Sequence, residues 1–204
     1  MAYTFDEDDI SKIEQAQNEG GKIWDNECLS SFKKKFKTYL LDADGGGNCC
    51  YCRKNFKGEF YMVIDIEHVL PKSDFDKYIF SIFNLNTSCK RCNMNIKKED
   101  VSFVVNLVLA KLNPEDPSLY RFVHPNLDNY SEHLGLISIM VDHKKLVKYQ
   151  PHTQKGNYTY SYFKLRNLEI DSFNEAQGIS PTHGLSDLIP SNIKDKLEEL
   201  LKIL

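Results

Sequence analysis

Two Cys-x-x-Cys pairs, Cys49-Cys50-Tyr51-Cys52 and Cys89-Lys90-Arg91-Cys92, stand 36 residues apart and constrain this chain more than any other feature. Each pair can hold two sulfurs about 2.3 Å from one ion, and two such knuckles complete a tetrahedral zinc site with no open position. The predicted Zn2+ is therefore structural, with Cys49, Cys52, Cys89 and Cys92 as ligands. Cys50 falls outside the Cys-x-x-Cys spacing, and Cys28 has no partner in sequence and reads as a small buried hydrophobe. Clustered cysteines in a cytosolic chain point to metal before disulfides. A cytoplasmic protein is the simplest reading: no apolar run reaches about 18 residues, and the start, MAYTFDEDDISKIEQ, lacks the apolar core of a secretory signal.

With 204 residues, 41% of them hydrophobic, and a net charge of −3, the chain can bury one substantial core and is neither disordered nor histone-like. The spacing predicts a helix over 8–19, closed by Gly20-Gly21. A second helix is predicted from about Asp25, as cap, to Leu41, with Leu29, Phe32, Phe36 and Leu40 on one stripe. Lys33, Lys34, Lys35 and Lys37 lie around that stripe, read either as a solvated face or as phosphate contacts. Gly45-Gly46-Gly47 reads as a connector. Residues 60–66 alternate as a strand, and the second cysteine pair opens a helix. Residues 101–112 read as a buried helix, with a strand as the alternative. Residues 117–135 are loop-like, 136–149 a hairpin turning near Asp142-His143-Lys144, 156–177 helical towards the end, and 178–190 a linker. Residues 191–204 form an amphipathic helix capped by Ser191.

Between the knuckles stand Asp65-Ile66-Glu67-His68-Val69-Leu70-Pro71-Lys72 and then Asn84-Leu85; Asn93 follows the last cysteine. Here the chain resembles the HNH, or ββα-metal, nuclease family, whose pattern runs acid or His, His, two residues, Pro; Asn-Leu; Cys-x-x-Cys; Asn. The resemblance covers about residues 49–100. It implies an α+β fold in which a zinc-stapled ββα-metal core (45–112) is flanked by an N-terminal helical arm (1–44) and a mixed C-terminal extension (113–204). It also implies an endonuclease. His68 would be the general base, since a neutral imidazole accepts protons near neutral pH, and Asn84 would orient it. Glu67 and Asn93 would supply oxygens to Mg2+ or Mn2+, a Lewis acid distinct from the zinc. Asp65 shares the strand face of Glu67 and reads as support. Two departures stand out. Glu67 occupies a position more often Asp or His. The family's Lys, three residues after the last Asn, is Ile96 here, with Lys97 one later, so Asn95 competes with Asn93 for the metal.

Residues 49–98 carry nine basic and five acidic side chains, a net of +4, against −7 for the rest. A basic module on an acidic body fits local contact with DNA phosphates through Lys72, Lys90, Arg91, Lys97 and Lys98. The arrangement over 67–73, and the stretch Tyr120–Tyr130, resemble the HNH effectors of bacterial anti-phage systems of the Septu and retron-associated type. That resemblance implies an ATPase partner or a second copy docking on the C-terminal half, the alternative being that 101–204 completes the core. The rival function is a non-catalytic zinc module binding nucleic acid or protein; RNA as substrate is a third reading.

Overall fold

The computed structural model describes residues 3–43 and 47–172. Gly45 and Gly46 of the connector, the linker 178–190 and the amphipathic helix 191–204 lie outside the described residues.

Helix α1 (Glu7–Glu19) starts in a reciprocal capping box: Asp6 accepts from the Asp9 backbone N–H, and the Asp9 carboxylate accepts from that of Asp6. It ends at Gly20, whose φ of +71° a side chain would strain. Two 3-10 turns, Ile23–Asp25 and Glu27–Leu29, then precede helix α2 (Ser30–Ala43). The second predicted helix therefore starts later than its pattern suggests. Asn26, with ψ of 137°, interrupts it and caps the second turn in place of Asp25. The predicted stripe does face inward: Leu29, Phe32 and Phe36 pack with Ala16 and Trp24, and Ile79 and Leu85 join the same cluster. Burying each Phe or Leu contributes about 1.5–3 kcal/mol, so the arm and the segment beyond it share one core.

Strand β1 (Ile64–His68) pairs antiparallel with β2 (Leu85–Cys89), Glu67 opposite Asn86 and His68 opposite Leu85. The strand predicted over 60–66 is shorter at its start. Residues Tyr61–Val63 form a 3-10 turn, because β2 offers only five partners, and Phe60 and Met62 are left 81% and 82% exposed. A π-helix over Arg91–Lys97 follows the second knuckle. Residues 101–106 are turns rather than helix: Phe103 and Val104 are buried, but helix α3 (Leu107–Leu112) begins only where Asn106 caps it. Of α3, only Ala110 is buried, which corrects the prediction of a buried helix.

Helix α4 (Tyr130–His133) leads into the predicted hairpin, β3 (Leu134–Val141) and β4 (Lys144–Pro151), turned at Asp142 with φ +53°. Helix α5 (Gln154–Tyr162), capped by Thr153, opens the 156–177 stretch, β5 (Ile170–Asp171) pairs with β4, and the end of that stretch, 173–177, lies outside the described residues. The chain forms two compact units. One holds residues up to Gly135 together with Tyr149–Asn167; the other holds the hairpin tip Leu136–Lys148 and residues from Leu168 on. Within the first, the extension completes the core around the first knuckle. The Tyr130 hydroxyl donates to the Tyr51 carbonyl at 3.0 Å, that of Tyr149 donates to the Cys52 carbonyl at 2.6 Å, and the Tyr51 ring stacks on Phe163 at 4.1 Å. No helix among the described residues is long and apolar enough to cross a membrane.

Candidate active site

The Sγ atoms of Cys49, Cys52, Cys89 and Cys92 all lie within 4.8 Å of one another and all four residues are buried. A tetrahedral ion with 2.3 Å metal–sulfur bonds sets its sulfurs about 3.8 Å apart, and Cys52 and Cys89 are separated by 3.8 Å. The cluster is consistent with a zinc site. The Cys89 backbone N–H points at the Cys49 sulfur at 3.4 Å. Cys50 lies outside the cluster; burial pushes its thiol up, keeping it protonated.

β1 presents Asp65 and Glu67 to one face and Ile64, Ile66 and His68 to the other. The π-helix covers the acidic face. Asn93 donates its Nδ2 to Asp65 at 3.1 Å, and Lys90 reaches the other Asp65 oxygen at 2.9 Å. Lys97 Nζ stands 2.9 Å from Glu67 Oε1 and 2.9 Å from the His68 carbonyl, and the Tyr51 hydroxyl donates to the same Glu67 oxygen at 3.0 Å. Lys97 and Glu67 are each 1% exposed. The helix type explains the departure seen in sequence. The Lys98 N–H bonds to the Asn93 carbonyl, five residues back, at 2.7 Å. The wider turn absorbs one extra residue and brings Lys97, rather than Ile96, onto Glu67. Asn93 faces β1, whereas Asn95 is exposed.

His68 Nε2 lies 3.0 Å from the Ile79 carbonyl, and its ring meets the edge of Trp24 at 4.4 Å. A carbonyl only accepts, so Nε2 carries the proton and Nδ1 the lone pair. Burial, with Lys72 and Lys97 adding to it, pushes the ring's pKa down from 6.5 to about 3. Asn84 does not use its carboxamide on this ring. Its Oδ1 accepts from the Leu70 N–H at 2.6 Å, and its Nδ2 donates to the carbonyls of Leu70 and Tyr78 at 3.2 and 3.1 Å. It orders the loop that leaves β1, so the expected hydrogen bond from Asn84 to His68 is not what the structure shows.

A cleft of about 600 Å3 opens beside β1, with Asp65 and Asn93 in its wall and Trp24 between it and His68. Lys72 and Lys90 line it, and Lys98 is exposed. Arg91 is instead turned onto the Lys164 carbonyl at 2.9 Å. Lys97 is corrected: buried on Glu67, its ammonium cannot meet a phosphate at the surface. Helix α2 adds Lys33, Lys34 and Lys37 to the cleft, the first and last of them bonded to the Trp24 and Tyr61 carbonyls. Sequence reasoning missed Trp24, Tyr51 and Ile79 as neighbours of the site. Ile79 acts through its backbone and has no side-chain signal, and a single Trp in the arm carries no motif.

Residues 49–99 match the HNH endonuclease family model. Both knuckles, the β1–β2 pair and the covering helix lie within that span. The chain is also similar to a Septu protein, PtuB of Bacillus thuringiensis, at 25% identity over 151 residues, which is 74% of this chain. The matched stretch spans 46% of that relative's length. No solved structure gives a significant match.

Proposed function

We propose that the chain is a metal-dependent endonuclease that hydrolyses DNA phosphodiester bonds, with His68 as general base. The carrying observation is the ring itself: Nε2 is tied to the Ile79 carbonyl at 3.0 Å, which leaves Nδ1 as the only atom able to take a proton from water. The low basicity of the buried ring keeps it neutral at pH 7, and Trp24, which separates it from the cleft, would have to turn aside for water to reach Nδ1. Glu67 and Asn93, on facing elements, are hard oxygen donors suited to Mg2+ or Mn2+, with Asp65 beside them. When bound, such an ion supplies Lewis acidity and stabilises the leaving oxygen. In its absence Lys97 holds the charge of Glu67. Asn84 and Lys97 position the segment that presents His68, through Leu70 and the His68 carbonyl. The four cysteines would hold Zn2+ and fix the hairpin at its other end.

Similarity to a Septu protein supports a role as an effector of anti-phage defence, acting with an ATPase partner or as an oligomer. The test is plasmid nicking with Mg2+ or Mn2+, wild type beside His68→Ala. The variant should lose cutting by at least about 10²-fold, the scale of general-base catalysis, with fold and zinc content intact. Retained cutting removes His68 from the mechanism. A wild-type protein that fails to cut under any divalent ion, alone or with its partner, is a non-catalytic zinc module.

A further inference from the structure

We propose that the cleft and the 60–62 turn beside it form one nucleic-acid groove, in which lysines grip phosphates and Phe60 with Met62 receives an unpaired base. The inference rests on the nuclease reading for the identity of its occupant. Five lysines, Lys33, Lys34, Lys37, Lys72 and Lys90, line the cleft. They face only two acids in its lining, Asp25 and Asp65, and Asp65 is already paired with Lys90. The surplus is cationic, and it comes from three separate segments that converge on one track, the footprint of a polyanion.

The turn is pinned from behind. Lys37 Nζ donates to the Tyr61 carbonyl at 2.8 Å and lies 5.5 Å from the centre of the Tyr61 ring, and Thr38 Oγ1 is 3.0 Å from the Tyr61 hydroxyl. Tyr61 itself lines the cleft. Its neighbours Phe60 and Met62 are more than four-fifths exposed, although they sit on backbone held against α2. Apolar side chains presented on a fixed support at the edge of a cationic track are what a base stacks on when it leaves its helix. Every base has a π face, so this contact selects unpaired or distorted DNA without reading sequence. Burial lowers the Lys37 ammonium's pKa, the mark of a cation short of solvent that an incoming phosphate would relieve.

Binding is measured in EDTA with the full chain, by anisotropy of a labelled blunt duplex and of the same duplex with a single-stranded overhang. The variants are Lys34→Ala, Lys72→Ala and the pair Phe60→Ala/Met62→Ala. The two lysines make no hydrogen bond or ion pair through their ammonium groups among the described residues, and the two apolar side chains are exposed, so all should fold. Each lysine variant should weaken both DNAs and lower the salt slope by about 0.7–0.9. The apolar pair should weaken the overhang about tenfold, the scale of one base–aromatic stack, and leave the blunt duplex unchanged. Lysine variants with wild-type affinity and slope overturn the groove; equal affinity of the apolar pair for the overhang overturns the stacking site. DNA binding without cutting refutes the nuclease and leaves the groove standing. Cutting that is indifferent to all these variants refutes the groove alone.

Discussion

At the Ile64–Cys89 end of the β1–β2 pair, four buried sulfurs converge within 4.8 Å. The charged group drawn to them is one guanidinium, Arg91, 3.9 Å from Cys92. Along the rest of β1 the charged and titratable side chains already have protein partners: Lys97 for Glu67, Asn93 and Lys90 for Asp65, the Ile79 carbonyl for His68. The first arrangement needs an ion to be stable, since four thiolates brought together repel and four thiols waste the geometry. The second balances its own charge, and under the proposed function it would exchange partners for substrate and metal. The four-cysteine cluster and the proposed active site, on the same short hairpin, thus differ in whether the protein has supplied the counter-charge.

The sharpest way to break this contrast is to remove each metal in turn. Stripping zinc, or Cys92→Ser, should unfold the first unit, since structural zinc is worth about 10–16 kcal/mol of apparent binding energy that folding depends on. Chelation mild enough to remove only Mg2+ should leave the fold intact. Circular dichroism beside zinc content by mass spectrometry reads both; a chain that stays folded without zinc equates the two ends and removes the argument.

The next largest effect belongs to Lys97. Lys97→Met leaves the Glu67 carboxylate buried and uncompensated, which costs about 3–5 kcal/mol. Adding Glu67→Gln should restore much of that, because the carboxamide no longer needs a cation and Tyr51 can still donate to it. Urea midpoints of the two single variants and the double variant give the coupling. If the double variant is no better than Lys97→Met, the pair is not what holds the π-helix to β1.

The sequence made the four-cysteine end readable because metal ligation imposes spacing, and spacing survives in one dimension. Glu67, His68 and Asn93 stood out by their place in the family pattern, between and just after the two knuckles. What was not legible depends on backbone: the Ile79 carbonyl that fixes the His68 tautomer, and the π-turn that puts Lys97 where Ile96 was counted. A 3.6-residue period leaves Ile96 and Lys97 on either side of Asn93; the wider turn swings Lys97 inward and Ile96 away. Residues 101–112 misled by composition. Their apolar residues all read as core, but a helix with one buried alanine and Leu112 76% exposed shows that apolar content says nothing about which neighbours are present. The 60–66 strand failed at its first four residues for want of a partner, since alternation is necessary for pairing and does not supply the other strand.

The smallest effect is a pH dependence, and it separates His68 from a second ring. His124 is also buried, 4.4 Å from the ring of Tyr120, with Nδ1 accepting the Asn126 N–H at 3.2 Å. Its Nε2 has no hydrogen-bond partner. Burial, with Lys155 adding to it, takes this ring down from 6.5 to about 3, as burial takes His68 to about 3. Both folded-state values lie below that of the unfolded chain, so between pH 6.5 and pH 3 the unfolded chain binds more protons. Stability is therefore fully present above pH 6.5 and falls as the pH drops through that window, by up to about 1.4 kcal/mol per pH unit for each ring. Urea midpoints at pH 7.5, 6.0 and 5.0 stay above the range where carboxylates dominate. His124→Phe, which suits its aromatic surroundings, should remove about half of the slope and leave any cutting at pH 7.5 unchanged. His68→Phe should remove the other half together with the cutting. A slope that survives both substitutions places the protons elsewhere and shows that these rings reach water.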